Sequence, residues 1–229
     1  MIDRSTNVRR ALRQRQRGFI INPFRFGGGV TPSGVTWDPG HKSPVAVLSL
    51  GNLRLTADTG ATGTYASTRS TAPITGLCYV SGTVRTAALG ATAAYGLADA
   101  TIDLTDASRW VGETSASVGV YAENGNIYSG GSVIGSVGSL ALPDDIQIAV
   151  RVATRRIWIR QAGGAWVGGG DPAADTSPTL TLGGSGDIYV AATISKSLAT
   201  PDRYSQIHPD AVSTTGVVPS GFTAASFAP

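Results

Sequence analysis

From Val35 to the end of the chain, short apolar segments alternate with turn signals, and this pattern constrains the fold more than any other feature. Clusters of Gly, Asn, Asp and Ser recur about every 8–12 residues, which is typical of β-sandwiches and β-barrels. Thirty glycines and a charged fraction of only 14% also fit short strands joined by tight turns. A length of 229 residues suits one such domain with extensions. We therefore expect an all-β domain at residues 35–229, preceded by an arm at residues 1–34.

The clearest strand pair is predicted at residues 145–152 and 156–160. Ile146 and Ile148 belong to an apolar series that alternates with polar or small residues, as in a half-buried strand. With a turn at Ala153–Arg155, the second segment should run back antiparallel beside the first. The other strand candidates are Val45–Leu50, Leu53–Ala57, Gly76–Gly82, Val84–Ala88, Thr92–Leu97, Thr101–Leu104, Ser117–Tyr121, Ile127–Tyr128 and Ile188–Ile194.

The chain offers few side chains for catalysis or metal binding. Its two histidines argue against a histidine-based zinc or catalytic cluster. The single cysteine, Cys78, lies in an apolar strand candidate, so we interpret it as a buried thiol and not as a nucleophile. No apolar run approaches the ~18 residues of a membrane span, and residues 1–17 lack the apolar region of a secretory signal. We expect no membrane insertion.

The acidic residues fit turns better than they fit an active site. The only two glutamates, Glu113 and Glu123, lie beside Gly- and Ser-rich turns and do not predict the carboxylate pair of a glycosidase. Asp99, Asp103 and Asp106 lack the spacing and glycine of a calcium loop, and we interpret them as turn-capping residues. We expect a protein without enzymatic activity, with no catalytic residue, metal ion or cofactor.

Aromatic side chains at turns are the candidate ligand contacts, because such rings stack on sugar rings or fill an interface. The alternative is that a loop tryptophan folds over the sandwich edge as part of the core. Trp158 alternates with two isoleucines, so it should cover the opposite sheet face or an interface. Gly168–Gly170 lacks the features of a phosphate loop and predicts positive φ angles or close backbone approach. The candidate ligand-binding residues are Trp166, Asp171, Asn124, Tyr128 and Trp110.

The arm combines positive charge with aromatic side chains. Residues 1–25 contain seven arginines and one aspartate, whereas the remainder has eleven basic and fourteen acidic residues. A basic arm on a mildly acidic domain indicates docking on an acidic partner, either protein or nucleic acid. Asn7–Arg17 has the pattern of a short amphipathic helix, and Phe19–Phe26 holds three of the five phenylalanines.

The phenylalanines favour a protein partner over nucleic acid. Phosphate contacts depend on charge, whereas aromatic rings contribute when buried in a protein socket. We therefore expect the arm to anchor the chain on another protein, although Phe19–Phe26 could alternatively form an edge strand or plug of the sandwich itself. The predicted anchoring residues are Arg9, Arg10, Leu12, Arg13, Arg17, Phe19, Phe24 and Phe26.

Four stretches resemble one known family. Leu142–Val150 and Arg156–Arg160 resemble two successive strands of SPRY-type, concanavalin A-like sandwiches. Gly164–Thr176 resembles the Trp- and Gly-rich loop of SPRY-like domains found in phage and prophage structural genes, and Val218–Ala225 is similar to the end of those domains. The resemblance implies an antiparallel jelly-roll sandwich over residues 35–229.

The same resemblance implies a structural protein of a tailed-phage virion, made in the bacterial host cytoplasm and displayed on the particle surface. The expected role is a tail fibre, spike or tail-tip component that binds a host-surface glycan. Its other partners would be tail, neck or capsid proteins contacted by the arm, and we expect a homo-oligomer. The alternative role is a purely architectural head-decoration or neck/collar protein without a ligand.

Overall fold

The computed structural model describes residues 35–58, 63–85, 93–141, 143–195, 204–207 and 217–225, which contain fifteen strands. The arm predicted at residues 1–34 lies outside this part of the chain, so the arm, its boundary and its anchoring residues stay predictions. Among the described residues, no helix is long and apolar enough to cross a membrane. The strands are β1 (Trp37–Lys42), β2 (Ala46–Ser49), β3 (Arg54–Ala57), β4 (Tyr65–Ser70), β5 (Leu77–Arg85), β6 (Ala93–Asp99), β7 (Ser117–Tyr121), β8 (Asn126–Ser129), β9 (Ser132–Ser136), β10 (Asp144–Arg151), β11 (Arg156–Gln161), β12 (Leu180–Thr181), β13 (Ile188–Ser195), β14 (Tyr204–Ile207) and β15 (Thr223–Ala224).

The strands form two sheets that enclose one apolar core. The seven-stranded sheet has the order β1-β4-β13-β6-β7-β8-β9. The eight-stranded sheet has the order β12-β11-β10-β5-β14-β3-β2, with β15 beside β5. Neighbouring strands are antiparallel, apart from the parallel contact of β15 with β5. This arrangement confirms the predicted all-β antiparallel sandwich.

The strand pair predicted with most detail is confirmed. β10 and β11 are antiparallel neighbours, with Ile148 opposite Ile159. A short 3-10 turn at Val152–Thr154 connects them, followed by Arg155 in the left-handed region at φ +56°. The isoleucines of both strands point into the core between the sheets, as their alternation predicts.

The prediction of separate strands at Gly76–Gly82 and Val84–Ala88 is wrong, because β5 runs without a break from Leu77 to Arg85. Gly82 resembles a turn residue in the sequence, but here it lies inside the strand. A Cβ at this position would come within 2.3 Å of the Tyr95 ring, so the glycine makes room for a core aromatic side chain.

The strand predicted at Thr101–Leu104 is also wrong, because consecutive turns occupy this region. Asp99 and Asp103 each accept a hydrogen bond from the backbone N–H two residues further on, at 2.9 and 3.0 Å. Asp106 does the same at 2.8 Å. Such local bonds compete with strand pairing. They confirm the interpretation of all three aspartates as turn-capping residues.

The core also confirms the interpretation of the single cysteine. Cys78 is buried, and burial raises the pKa of its thiol to about 11, so the thiol stays protonated at neutral pH. Across the core from it, the Trp37 and Tyr95 rings meet edge to face with centroids 6.5 Å apart. Edge-to-face contact is a favourable geometry for buried aromatic rings.

Arg155 joins the two sheets at one end of the sandwich. Its guanidinium donates to Oδ2 of Asp99 at 2.6 Å and to the carbonyl oxygens of Leu182, Gly183 and Gly186. Asp99 ends β6 of the seven-stranded sheet, whereas Arg155 lies in the β10–β11 turn of the other sheet. Burial alone would raise the pKa of Asp99, but hydrogen bonds from Thr101 and Arg155 hold that pKa below its usual range.

Candidate functional site

The outer face of the seven-stranded sheet, which points away from the core, carries small side chains in its middle strands. The connection from β6 to β7, residues 100–116, lies directly on this face. Leu104 and Val111 of the connection are buried against Ala98 and Ala191 of the sheet. A Cβ at Gly119 would come within 2.6 Å of the Val111 carbonyl oxygen, so larger residues would lift the connection off the sheet.

Buried hydroxyl groups fix the connection in place. The Val111 N–H donates to Thr193 Oγ1 at 3.0 Å, and Ser67 Oγ donates to the Arg109 carbonyl at 2.8 Å. The Ser67 and Thr193 hydroxyls are 2.9 Å apart. Because the Ser67 proton points to Arg109, Thr193 must be the donor in that pair. These bonds hold the residues on both sides of Trp110.

Trp110 thereby reaches a group of tyrosines on the same outer face. Together they line an open depression of about 240 Å³, which we call the aromatic depression. Its tyrosines come from β4, β7 and β8, and polar side chains complete the lining. The lining residues are Tyr65, Trp110, Tyr121, Tyr128, Glu123, Asn124 and Ser195.

Three of the four ring contacts in the aromatic depression have steep interplanar angles. The Trp110 ring centroid lies 5.6 Å from that of Tyr121 and 5.8 Å from that of Tyr128, with interplanar angles of 86° and 77°. The Tyr121 and Tyr128 centroids are 4.7 Å apart at 61°, and that of Tyr65 lies 6.3 Å from that of Trp110 at 37°. The rings therefore line the depression with faces turned in different directions.

Gly112 allows this aromatic packing. It has φ +109°, and a Cβ there would lie 2.9 Å from the Tyr128 Cβ and 3.1 Å from the Trp110 ring. Tyr121 is held in place by a hydrogen bond that its hydroxyl donates to the Val111 carbonyl at 3.3 Å. Burial raises the pKa of Tyr121, so this hydroxyl keeps its proton. Ring positions are thus set before any ligand arrives.

The turn between β7 and β8 supplies the polar residues at the rim of the depression. Asn124 Oδ1 accepts a hydrogen bond from the Asn126 N–H at 2.9 Å, which fixes the turn between β7 and β8. Glu123 is the residue before Asn124, and both are exposed. An amide and a carboxylate beside aromatic rings provide hydrogen-bonding groups next to an apolar surface.

The structure brings three of the five predicted ligand residues together and separates the other two. Trp110, Asn124 and Tyr128 line the aromatic depression. Trp166 and Asp171 instead belong to the outer side of the eight-stranded sheet. Trp166 lies under the Arg160 guanidinium at 4.2 Å, and Asp171 Oδ1 accepts a backbone N–H at 2.9 Å in a tight turn.

Trp158 occupies a closed aromatic cluster on that second outer face. It is fully buried with Tyr79, and its indole N–H donates to the Thr176 carbonyl at 2.8 Å. Residues 217–225 and Trp166 cover it, with Phe222 edge-on at 6.5 Å. The prediction that Trp158 covers the face opposite the isoleucines is confirmed.

The Gly-rich loop beside this cluster also has the predicted properties. Gly168 and Gly169 have φ +78° and +69°. A Cβ at Gly170 would come within 2.7 Å of the Trp158 ring, which confirms close approach at this position. The loop therefore serves the packing of the closed cluster.

Sequence reasoning missed Tyr65, Tyr121, Glu123 and Ser195 as members of the depression. Tyr121 could have been predicted, because Val118 and Val120 face the core and strand alternation therefore places Tyr121 on the outer face. Tyr65 and Ser195 pair directly across β4 and β13, which lie far apart in the sequence. No local pattern indicates that contact.

In a comparison with solved structures, this chain is similar to SPRY domains. The SPRY domain of human HERC1 matches with a TM-score of 0.57 and 16% identity, over 75% of this chain and 96% of that one. The TRIM65 PSpry domain matches with a TM-score of 0.51 and 11% identity, over 76% and 92%. Stonustoxin matches with a TM-score of 0.52 and 13% identity, over 76% of this chain and 27% of the toxin chain.

These similarities confirm the predicted SPRY-type, concanavalin A-like fold. No protein-family model matches the chain, and no curated protein matches its sequence. At these identities the similarity to SPRY domains defines the fold alone, and any ligand has to be argued from the site itself.

Proposed function

We propose that this chain is a non-enzymatic attachment protein whose SPRY-type sandwich binds a host-surface glycan. In this proposal the arm at residues 1–34 anchors it to a tailed-phage particle as part of a tail fibre, spike or tail tip. The observation that carries the proposal is the aromatic depression, in which four rings line one open site of about 240 Å³.

The chemistry of the depression suits a sugar. Pyranose rings have apolar C–H faces that stack on aromatic rings, and hydroxyl groups that bond to amides and carboxylates. Trp110 and Tyr128 supply ring surface, while Glu123 and Asn124 supply polar groups at the rim. The volume lies below the ~300–1,000 Å³ of drug-sized pockets, which favours the terminal unit of a glycan over a long segment.

Binding is favoured over hydrolysis because only one carboxyl group is found among the described residues that line the depression. Glycoside hydrolysis uses two carboxyl groups that flank the scissile bond. Glu123 is the sole carboxylate among the described residues that line the depression. Glu113, the other glutamate of the chain, is bound to Arg109 at 3.0 Å in an exposed ion pair.

Attachment to a virion rests on the sequence. The arginine-rich, aromatic arm and the resemblance to phage structural domains support docking on a tail, neck or capsid protein, and assembly as a homo-oligomer. The same features would suit a decoration or neck protein without a ligand, in which the aromatic depression fills a protein interface. Glycan binding by the isolated protein separates these two roles.

The test is a glycan array probed with the full chain and two tryptophan variants. Trp110→Ala should lower binding to every positive glycan at least about tenfold, because a tryptophan at a binding site commonly contributes more than ~1–2 kcal/mol. Trp166→Ala, which removes a partly exposed tryptophan from the opposite face, is the matched control and should leave binding unchanged. Absence of any bound glycan, or a loss caused only by Trp166→Ala, would overturn glycan recognition by the depression.

A further inference from the structure

Three partly exposed aromatic rings on this sandwich each lie beneath an arginine. In each case the guanidinium carbon sits 4.2–4.3 Å from the ring centroid, which is within the range of a favourable cation–π contact. The pairs are Arg54 over Tyr204, Arg69 over Tyr189 and Arg160 over Trp166. In these pairs the electron-rich ring faces are matched by positive charge.

The aromatic depression differs from these pairs, because among the described residues no arginine or lysine lies over its rings. Four rings line it, and the charged residue among its described lining is Glu123, which is negative. Arg109 precedes Trp110 in the chain, but it is bound to Glu113 at 3.0 Å. Ring faces carry negative charge density, so several rings around one open depression favour a cation.

We propose that the aromatic depression binds an organic ammonium group, either quaternary or a protonated amine, carried by the glycan. This inference rests on the proposed function, because it names the ligand chemistry of the same site. Trp110, Tyr121 and Tyr128 lie at mutual angles of 61–86° and can contact a compact cation from several sides, as in sites that recognise quaternary ammonium groups. A single flat stack would instead select planar ligands.

Choline and its neutral isostere 3,3-dimethylbutan-1-ol test the charge directly. The two molecules have nearly the same shape, so a difference in affinity reports the positive charge. With the full chain, measured by calorimetric titration or NMR, choline should bind between about 3-fold and about 30-fold more tightly than the isostere. Equal affinities, or tighter binding of the neutral molecule, would overturn the ammonium inference.

Matched variants locate the effect. Tyr128→Phe keeps the ring and should keep the preference for choline, whereas Tyr128→Leu should reduce it to less than half. Glu123→Gln should also reduce the preference. Asp187→Asn removes a carboxylate at the opposite end of β13 from Ser195 and should have no effect. A preference that survives both Tyr128→Leu and Glu123→Gln would place the cation elsewhere and contradict the inference.

The outcomes separate this inference from the proposed function. If glycans bind through Trp110 but choline binds no better than its isostere, glycan recognition stands and the ammonium inference fails. If choline binds with the predicted preference but no glycan binds, the depression is an ammonium site, and both the glycan proposal and the assignment of the ammonium group to a glycan fail. If neither choline nor any glycan binds, both are wrong.

Discussion

The two outer faces of this sandwich use aromatic side chains in opposite ways. On the eight-stranded sheet, residues 217–225 and Trp166 bury Trp158, and the indole N–H of Trp158 is bonded to a carbonyl within the domain. On the seven-stranded sheet, residues 100–116 cover the middle strands but leave Trp110 at the open aromatic depression. The first face is closed by its own chain, and the second presents rings to solvent.

Trp158 and Trp110 differ in which residues make the hydrogen bonds that hold each ring in place. Trp158 makes its own hydrogen bond and is surrounded by apolar groups, so its ring contributes to folding. Trp110 is positioned by the bonds of its neighbours Arg109 and Val111 to the sheet. A ring held through its neighbours keeps its own surface open, as the proposed binding site requires.

The largest expected effect on stability comes from replacing Arg155, because this residue joins the two sheets that carry the two outer faces. Arg155→Met removes one partner of a mostly buried ion pair and leaves Asp99 without its guanidinium. We expect the free energy of unfolding to fall by about 3–5 kcal/mol, measured by urea denaturation. Arg156→Met is the matched control, since its exposed contact with Asp175 should contribute less than about 1 kcal/mol. Equal losses in the two variants would show that Arg155 does not join the sheets.

The same pair gives a pH dependence with a defined sign. The pKa of Asp99 is lower in the folded protein than in the unfolded chain. Its stabilising contribution is therefore present above the unfolded value of about 4 and is lost as the pH falls through the folded pKa. The stability gap between the wild type and Arg155→Met should narrow from pH 7 to pH 3. A gap that widens on acidification would contradict this assignment.

A smaller effect is expected for a change confined to the closed face. Trp158→Phe removes the indole N–H and part of a buried ring, so the Thr176 carbonyl loses one of its two donors and keeps the Asp171 N–H at 3.1 Å. Stability should fall by about 1–3 kcal/mol in thermal or chemical unfolding. Glycan and choline binding should not change, because the aromatic depression lies on the other sheet. A loss of binding without a loss of stability would reverse the roles assigned to the two faces.

The smallest change in stability is expected for Gly112→Ala on the open face. The variant adds a Cβ at φ +109° next to Tyr128 and Trp110, so it should cost about 1–2 kcal/mol and weaken ligand binding severalfold. Gly168→Ala is the control on the opposite face, because Gly168 also has a positive φ but has nothing within 4 Å of an added Cβ. It should lower stability without affecting binding. Equal binding in both variants would mean that Gly112 does not set the ring positions.

The fold was predictable where its signals are local. The β10–β11 pair follows from alternation and a turn within one short stretch, and its register places the expected residues in the core. β4 gave no such signal, because its Ser67, Thr68 and Ser70 are buried polar residues. Their hydroxyls bond to groups far along the chain, and only the folded topology reveals those partners.

The candidate site was predictable to a similar degree. Trp110, Asn124 and Tyr128 stood out as aromatic or amide residues at turns, and the fold brings them to one depression. Trp166 and Asp171 gave the same local signals but lie on the closed face. Which face stays open depends on where residues 100–116 and 217–225 lie, and strand patterns carry no information about that.

The central claim is that Trp110 belongs to a ligand site and that the other three tryptophans support the fold. The chain has four tryptophans, with Trp37 in the core, Trp158 and Trp166 on the closed face and Trp110 in the depression. Their four indole N–H resonances can be followed by NMR while a glycan selected on the array is added. We expect the Trp110 resonance to shift saturably while those of Trp37, Trp158 and Trp166 stay in place. Shifts at Trp158 or Trp166 with Trp110 unmoved would contradict the account.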